Sequence, residues 1–82
     1  MALLQHHQNE TIDDLLAAAW QNVSSKLNTR FGDAVFRSWL KPLSFIGSKS
    51  GYIQINVPTR FMREWINKNY INDIHALWAE EG

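Results

Sequence analysis

Few residues of this 82-residue chain have the types and spacing that chemistry requires. His6 and His7 are adjacent near the start, and His75 stands alone. A zinc site needs three or four ligands converging on one point, and two neighbouring histidines with no third ligand do not supply them. Cysteine is absent, which removes thiolate ligands and disulfide staples together. Asp73 lies two residues from His75, so on a helix the two point to different faces and are not placed for proton transfer. The other carboxylates are scattered, mostly towards the ends, with no acid–base pair among them. Gly47-Ser48-Lys49-Ser50-Gly51 superficially resembles a phosphate cradle. It joins two strand-like segments, however, whereas phosphate is held by the free amides and dipole of a helix N-terminus. No nucleotide-binding, metalloprotease or serine-hydrolase motif occurs. The expectation is a domain without catalysis, metal or cofactor of its own.

What remains is the chemistry of contact. Phe61, flanked by Arg60 and Arg63, is an aromatic that helical periodicity leaves outside the apolar stripe of its segment, roughly 160° from the stripe's centre at about 100° per residue. Trp65 is roughly 120° away by the same count. An aromatic so placed is an interaction anchor, because it brings large contact area at small entropic cost; it is equally an ordinary exposed apolar residue.

The charges have a pattern of their own. Eight Lys/Arg and eight Asp/Glu give a net charge of zero. All eight basic residues lie between Lys26 and Lys68, with only Asp33 and Glu64 among them, an excess of six. The remaining acids, Glu10, Asp13, Asp14, Asp73, Glu80 and Glu81, fall outside. This is either an electrostatic footprint for nucleic acid or an acidic partner, or a solvated surface whose charges segregate.

These residues must be positioned by a single small domain. A hydrophobic content of 45% is too high for a disordered chain, and the length is too short for two domains. The longest apolar run, Leu15 to Trp20, is far below the roughly 20 residues that span a bilayer, and Met1-Ala2-Leu3-Leu4-Gln5 lacks the shape of a secretory signal. A soluble, cytoplasmic module is expected. Residues 1–10 have no period and read as a flexible leader to a domain of residues 11–82. Thr11 with Asp13 and Asp14 reads as a helix start. Ile12, Leu16, Trp20, Val23, Leu27 and Phe31 then make one helical stripe, which Gly32 ends. Asp33 is expected to cap a short second helix to about Lys41, closed by Pro42. A hairpin follows: Ser44 to Ile46, a turn at residues 47–51, and Tyr52 to Val57 with Ile53, Ile55 and Val57 on one face. Pro58 stops it, and Thr59 caps a third helix from Arg60 to about Glu80, striped by Met62, Ile66, Tyr70, Ile74 and Leu77.

The runs Trp-Gln-Asn-Val at residues 20–23, Phe-Arg-Ser-Trp-Leu-Lys-Pro-Leu at 36–43 and Val-Pro-Thr-Arg-Phe-Met-Arg-Glu-Trp-Ile-Asn-Lys-Asn-Tyr at 57–70 resemble, in this order and spacing, the N-terminal domain of the DnaA family of bacterial chromosome-replication initiators. The resemblance covers about residues 18–79. It implies an α+β, KH-like domain in the order α-α-β-β-α, with the family's final third strand absent from this chain. It also implies a protein–protein interaction module for initiator self-association at the origin, recruitment of the replicative helicase and docking of regulators. ATP belongs to a separate AAA+ domain of the full-length family protein, so none is expected here. By position, the family's self-association tryptophan corresponds to Trp20 and its helicase-contacting phenylalanine to Phe61. Some relatives carry an acid at the position of Val35, used for helicase contact, so here that contact is expected to be absent, replaced by apolar packing at Val35, or moved to Asp33. The alternative implied is weak binding of single-stranded nucleic acid, for which Arg60, Arg63 and Lys68 are the candidate contacts. The KH-type Gly-x-x-Gly loop between two helices is missing.

Overall fold

The apolar stripe from Ile12 to Phe31, with the alanines and leucines around it, favours a long helix. The computed structural model describes the backbone of residues 2–81 and the side chains of residues 12–81. Helix α1 spans Ala2–Val35 and is interrupted at Gly32. The helix start expected at Thr11 therefore lies inside α1, and Thr11 is not its N-cap. The side chains of the expected leader, His6 and His7 among them, lie outside the described residues.

Gly32 takes φ 86° and ψ 165°, a backbone conformation that glycine adopts without the penalty of a side chain. A Cβ built there meets nothing within 4 Å, so the position demands glycine for its dihedral angle and not for space. The chain re-enters a helix at once and ends it in a π turn over Phe36–Leu40, where the Lys41 N–H donates to the Phe36 carbonyl at 2.7 Å. Pro42 has no N–H with which to continue. Asp33 does not cap this second arm: it is exposed and its side chain makes no hydrogen bond among the described residues.

Strands β1 (Ser44–Lys49) and β2 (Tyr52–Asn56) pair antiparallel, from Ser44 opposite Asn56 to Lys49 opposite Tyr52. The connection is shorter than the expected five residues. Only Ser50 and Gly51 turn, both at positive φ (53° and 82°), which is the handedness that a two-residue hairpin needs to match strand twist. Ile46 is a bulge between the Phe45–Ile55 and Gly47–Gln54 pairs and points to solvent. Phe45, Ile55 and Val57 pack on the core, while Ile53 stays at its margin.

Helix α2 (Arg60–Asn69) begins as expected, with Thr59 Oγ1 accepting from the Met62 N–H at 3.1 Å. It does not run on to Glu80. Tyr70 leaves the helical region at φ −128° and ψ −9°, and α3 (Ile71–Glu80) starts afresh with the Ile74 N–H on the Tyr70 carbonyl. Bending at Tyr70 lets Ile66 on one side and Ile74 and Leu77 on the other reach the same core. The Tyr70 ring meets Phe31 edge-on at 5.0 Å.

The architecture is thus α+β: α1 with its short second arm, a two-stranded sheet, then α2 and α3. The core comprises Trp20, Val23 and Leu27 of α1, Leu40 and Leu43 after the break, and Ile66, Ile74 and Leu77. Replacing Gly32 by alanine forces a side chain into the left-handed region. It is expected to lower unfolding free energy by about 1–2 kcal/mol in urea denaturation, with Thr59→Ala costing about 1 kcal/mol through its lost cap.

Candidate protein-interaction surface

Three aromatic rings from two elements meet at the surface. Trp39, carried on the π turn, stacks on Trp65 of α2 with ring centroids 5.2 Å apart and planes 26° apart, and lies 6.0 Å from the Phe61 ring. Phe61 is 66% exposed and Trp65 38%. Phe61 and Trp65 are one turn apart on α2, and Lys68 continues the same side one turn further on. Arg60 pairs with Glu64 at 3.3 Å beside them. The off-stripe position of Phe61 and Trp65 was legible in the sequence. Their convergence with Trp39 was not, because it depends on how the π turn is laid against α2.

The other expected contact residues are dispersed. Val35 is half-buried and packs against the core, so its apolar side chain is structural, whereas Asp33 is exposed two residues earlier. Arg63 points away from the aromatic patch and lines a groove on the far side of α2. Arg60, Arg63 and Lys68 therefore do not form one basic patch.

Trp20 is a core residue. Only 6% of it is exposed, and its ring stacks on Trp78 of α3 at 6.0 Å and 19°. Another chain can reach this ring only if α1 and α3 part.

The segregated charges have a destination within the molecule. Lys26 Nζ reaches Glu80 at 3.2 Å and Glu81 at 3.3 Å, and Arg30 reaches Asp73 at 2.8 Å. Asn22 Nδ2 donates to Glu81 at 3.0 Å. The start of the basic middle and the acidic end thus clasp α1 to α3. The hydrogen bonds from Lys26 to Glu80 and Glu81 raise the lysine's pKa above its ordinary 10.5. The Asn22 hydrogen bond, helped by Lys26, lowers that of Glu81 below 4.5.

A groove of about 450 Å³ opens between β2 and α2–α3, floored by Ile53, Ile55, Ile74 and Trp78. Among the described residues no group of three or more His, Asp and Glu is placed to hold a metal, and no helix is long and apolar enough to cross a membrane.

These features define a small α+β domain whose distinctive side chains lie in surface contacts. Residues 17–80 match the family model described as the DnaA N-terminal domain, and the chain belongs to that family. Among its relatives is the chromosomal replication initiator protein DnaA of Wolbachia sp. subsp. Brugia malayi (strain TRS), 40% identical over 63 residues that make up 77% of this chain and 14% of that protein. The same-named protein of Anaplasma marginale (strain St. Maries) is 41% identical over 64 residues, 78% of this chain and 14% of its own. That of Xanthobacter autotrophicus is 36% identical over 62 residues, 76% of this chain and 12% of its own. The chain therefore spans only about a seventh of the length of the relatives it matches. No solved structure matches it significantly.

Trp20→Ala is expected to cost about 3–5 kcal/mol of stability by leaving a cavity, and Phe61→Ala less than about 1 kcal/mol, both read from denaturant unfolding. The clasp has a pH window. Glu81, with its lowered pKa, contributes above 4.5 and loses that contribution as pH falls through the folded-state value. Lys26, with its raised pKa, contributes below 10.5 and loses it as pH rises through the folded-state value. Melting temperature is expected to fall at both extremes, and Lys26→Met to flatten the alkaline limb.

Proposed function

We propose that this domain is a protein-interaction module of a chromosomal replication initiator, and that the Trp39–Phe61–Trp65 patch is its docking surface for the replicative helicase. The observation that carries this reading is the patch itself: Phe61 and Trp65 exposed and gathered on Trp39, which is half-buried against the core, on a domain of the DnaA N-terminal family. The two exposed rings offer a partner large, rigid contact area. Self-association and regulator docking belong to the same reading, as does the absence of catalysis and of any cofactor in this domain, ATP being the business of another part of a full-length initiator. Trp20 keeps its expected place in self-association by supporting the surface of α1 around it, its own ring being stacked on Trp78.

Single-stranded nucleic acid is the second reading, supported by the aromatic rings with Lys68 alongside. It is weakened by the loss of a contiguous basic surface, since Arg60 is paired with Glu64 and Arg63 faces the groove. Calorimetric titration of the replicative helicase of the same organism into the chain distinguishes the two. Phe61→Ala and Trp39→Ala are each expected to weaken helicase binding about tenfold or more (about 1.4 kcal/mol), with Phe61→Ala leaving melting temperature nearly unchanged. Unaltered helicase affinity in both variants, together with tight salt-sensitive binding of oligo-deoxythymidine, would give the surface to nucleic acid instead.

A further inference from the structure

Of the three rings in the aromatic patch, one stands apart. Phe61 and Trp65 are exposed, whereas Trp39 is half-buried and packs on the core. Trp39 stacks on Trp65 at 5.2 Å and reaches Phe61 at 6.0 Å. Among the described residues, each exposed ring meets no aromatic ring but that of Trp39. The backbone that carries Trp39 is equally specific. Phe36 packs on the core and Leu40 is fully buried, so the turn between them is anchored at both ends. The Lys41 N–H donates to the Phe36 carbonyl, five residues back, at 2.7 Å. Closing on the fifth residue instead of the fourth opens the turn and changes the direction in which Trp39 leaves it. Single π turns of this kind concentrate at functional sites.

We infer that Trp39, aimed by the π turn, is the positioning residue of this surface: it holds the Phe61 and Trp65 rings outward and acts on a partner through them, not by its own contact. The inference rests on the docking reading of the patch and assigns the roles within it. An exposed aromatic side chain on a lone helix exchanges among rotamers, and that freedom is lost on binding. Rings already stacked on a core-anchored neighbour have lost it beforehand, so more of their contact shows as affinity. The backbone of α2 is fixed separately. Thr59 accepts from the Met62 N–H through Oγ1 and from the Arg63 N–H through its carbonyl, which sets the first turn and Phe61 with it. Asn69 Nδ2 donates to the Trp65 carbonyl at 2.9 Å. These bonds leave the side-chain torsions of the two rings free, and Trp39 is the ring in contact with both.

Two measurements test this. In the chain alone, NMR side-chain relaxation is expected to show ordered Phe61 and Trp65 rings in the wild type and freely moving ones in Trp39→Leu, which keeps an apolar side chain against the core but no ring. Trp39→Phe is expected to restore most of that order, and it serves as the reporting variant should the leucine chain fail to fold. The second measurement is a double-mutant cycle in calorimetric titration with the replicative helicase of the same organism. Trp39→Leu and Phe61→Ala are each expected to weaken binding about tenfold, and both together clearly less than the roughly hundredfold of two independent contacts. A full hundredfold loss makes Trp39 a contact residue and overturns the inference. So do Phe61 and Trp65 rings that stay as ordered in Trp39→Leu as in the wild type, whether or not the helicase binds. A wild-type chain that does not bind the helicase removes the docking reading, and ring order alone then decides the role of Trp39.

Discussion

The apolar seam between α1 and α3 is the contact on which the other elements depend. Trp20, Val23 and Leu27 meet Ile74, Leu77 and the Trp78 ring there, and burial of each aliphatic side chain contributes roughly 1.5–3 kcal/mol. The rest leans on this seam. A two-stranded hairpin is at best marginal by itself, and this one is held because Phe45, Ile55 and Val57 pack on the shared core. Helix α2 contributes a single fully buried residue, Ile66, and is steadied by its Thr59 cap. Among the described residues no polar or charged residue is fully buried, so uniqueness comes from shape and from the turns at Gly32 and Tyr70.

The zero net charge has an internal explanation. Lys26 and Arg30 lie on one flank of the seam, and Asp73, Glu80 and Glu81 face them from α3. Segregation along the sequence becomes pairing in space because α1 and α3 are distant in the chain and adjacent in the fold. Such exposed pairs are individually weak. Their value lies in register: the Arg30–Asp73 and Lys26–Glu80 pairs, about two turns apart on α3, fix how far α3 slides along α1. With Lys26 and Arg30 engaged in these pairs, part of the basic middle is neutralised within the fold.

Much of the fold was legible in the sequence, and the failures have a common cause. The stripe of α1, the break at Gly32, the hairpin and the Thr59 cap follow from local rules of periodicity, left-handed glycine and side-chain capping. Continuity was misjudged in both directions. Thr11 and the two aspartates read as a start, yet nothing in them stops a helix already under way. The stripe from Met62 to Leu77 read as one helix, yet no local signal marks Tyr70; the bend brings Ile66 on one side and Ile74 and Leu77 on the other to one core, which is a matter of packing. The site shows the same division. Phe61 could be singled out by angle alone, but Trp39 joins it only through packing, and the fate of Trp20 turned on Trp78, whose position no spacing rule reveals.

The placement of α2 determines how the two surfaces relate. Phe61 and Arg63 are two residues apart and so about 200° apart around the helix axis; one belongs to the aromatic patch and the other to the groove. Any contact on the aromatic rings and any contact in the groove therefore meet opposite sides of the same ten-residue helix. Each contact is small, with a few apolar side chains and one or two charges, and is weak when isolated. When several copies are held on one scaffold, each engaged contact raises the effective concentration for the next. Were several such domains tethered together, a partner engaging several of their aromatic patches at once would be held more tightly than by a single copy.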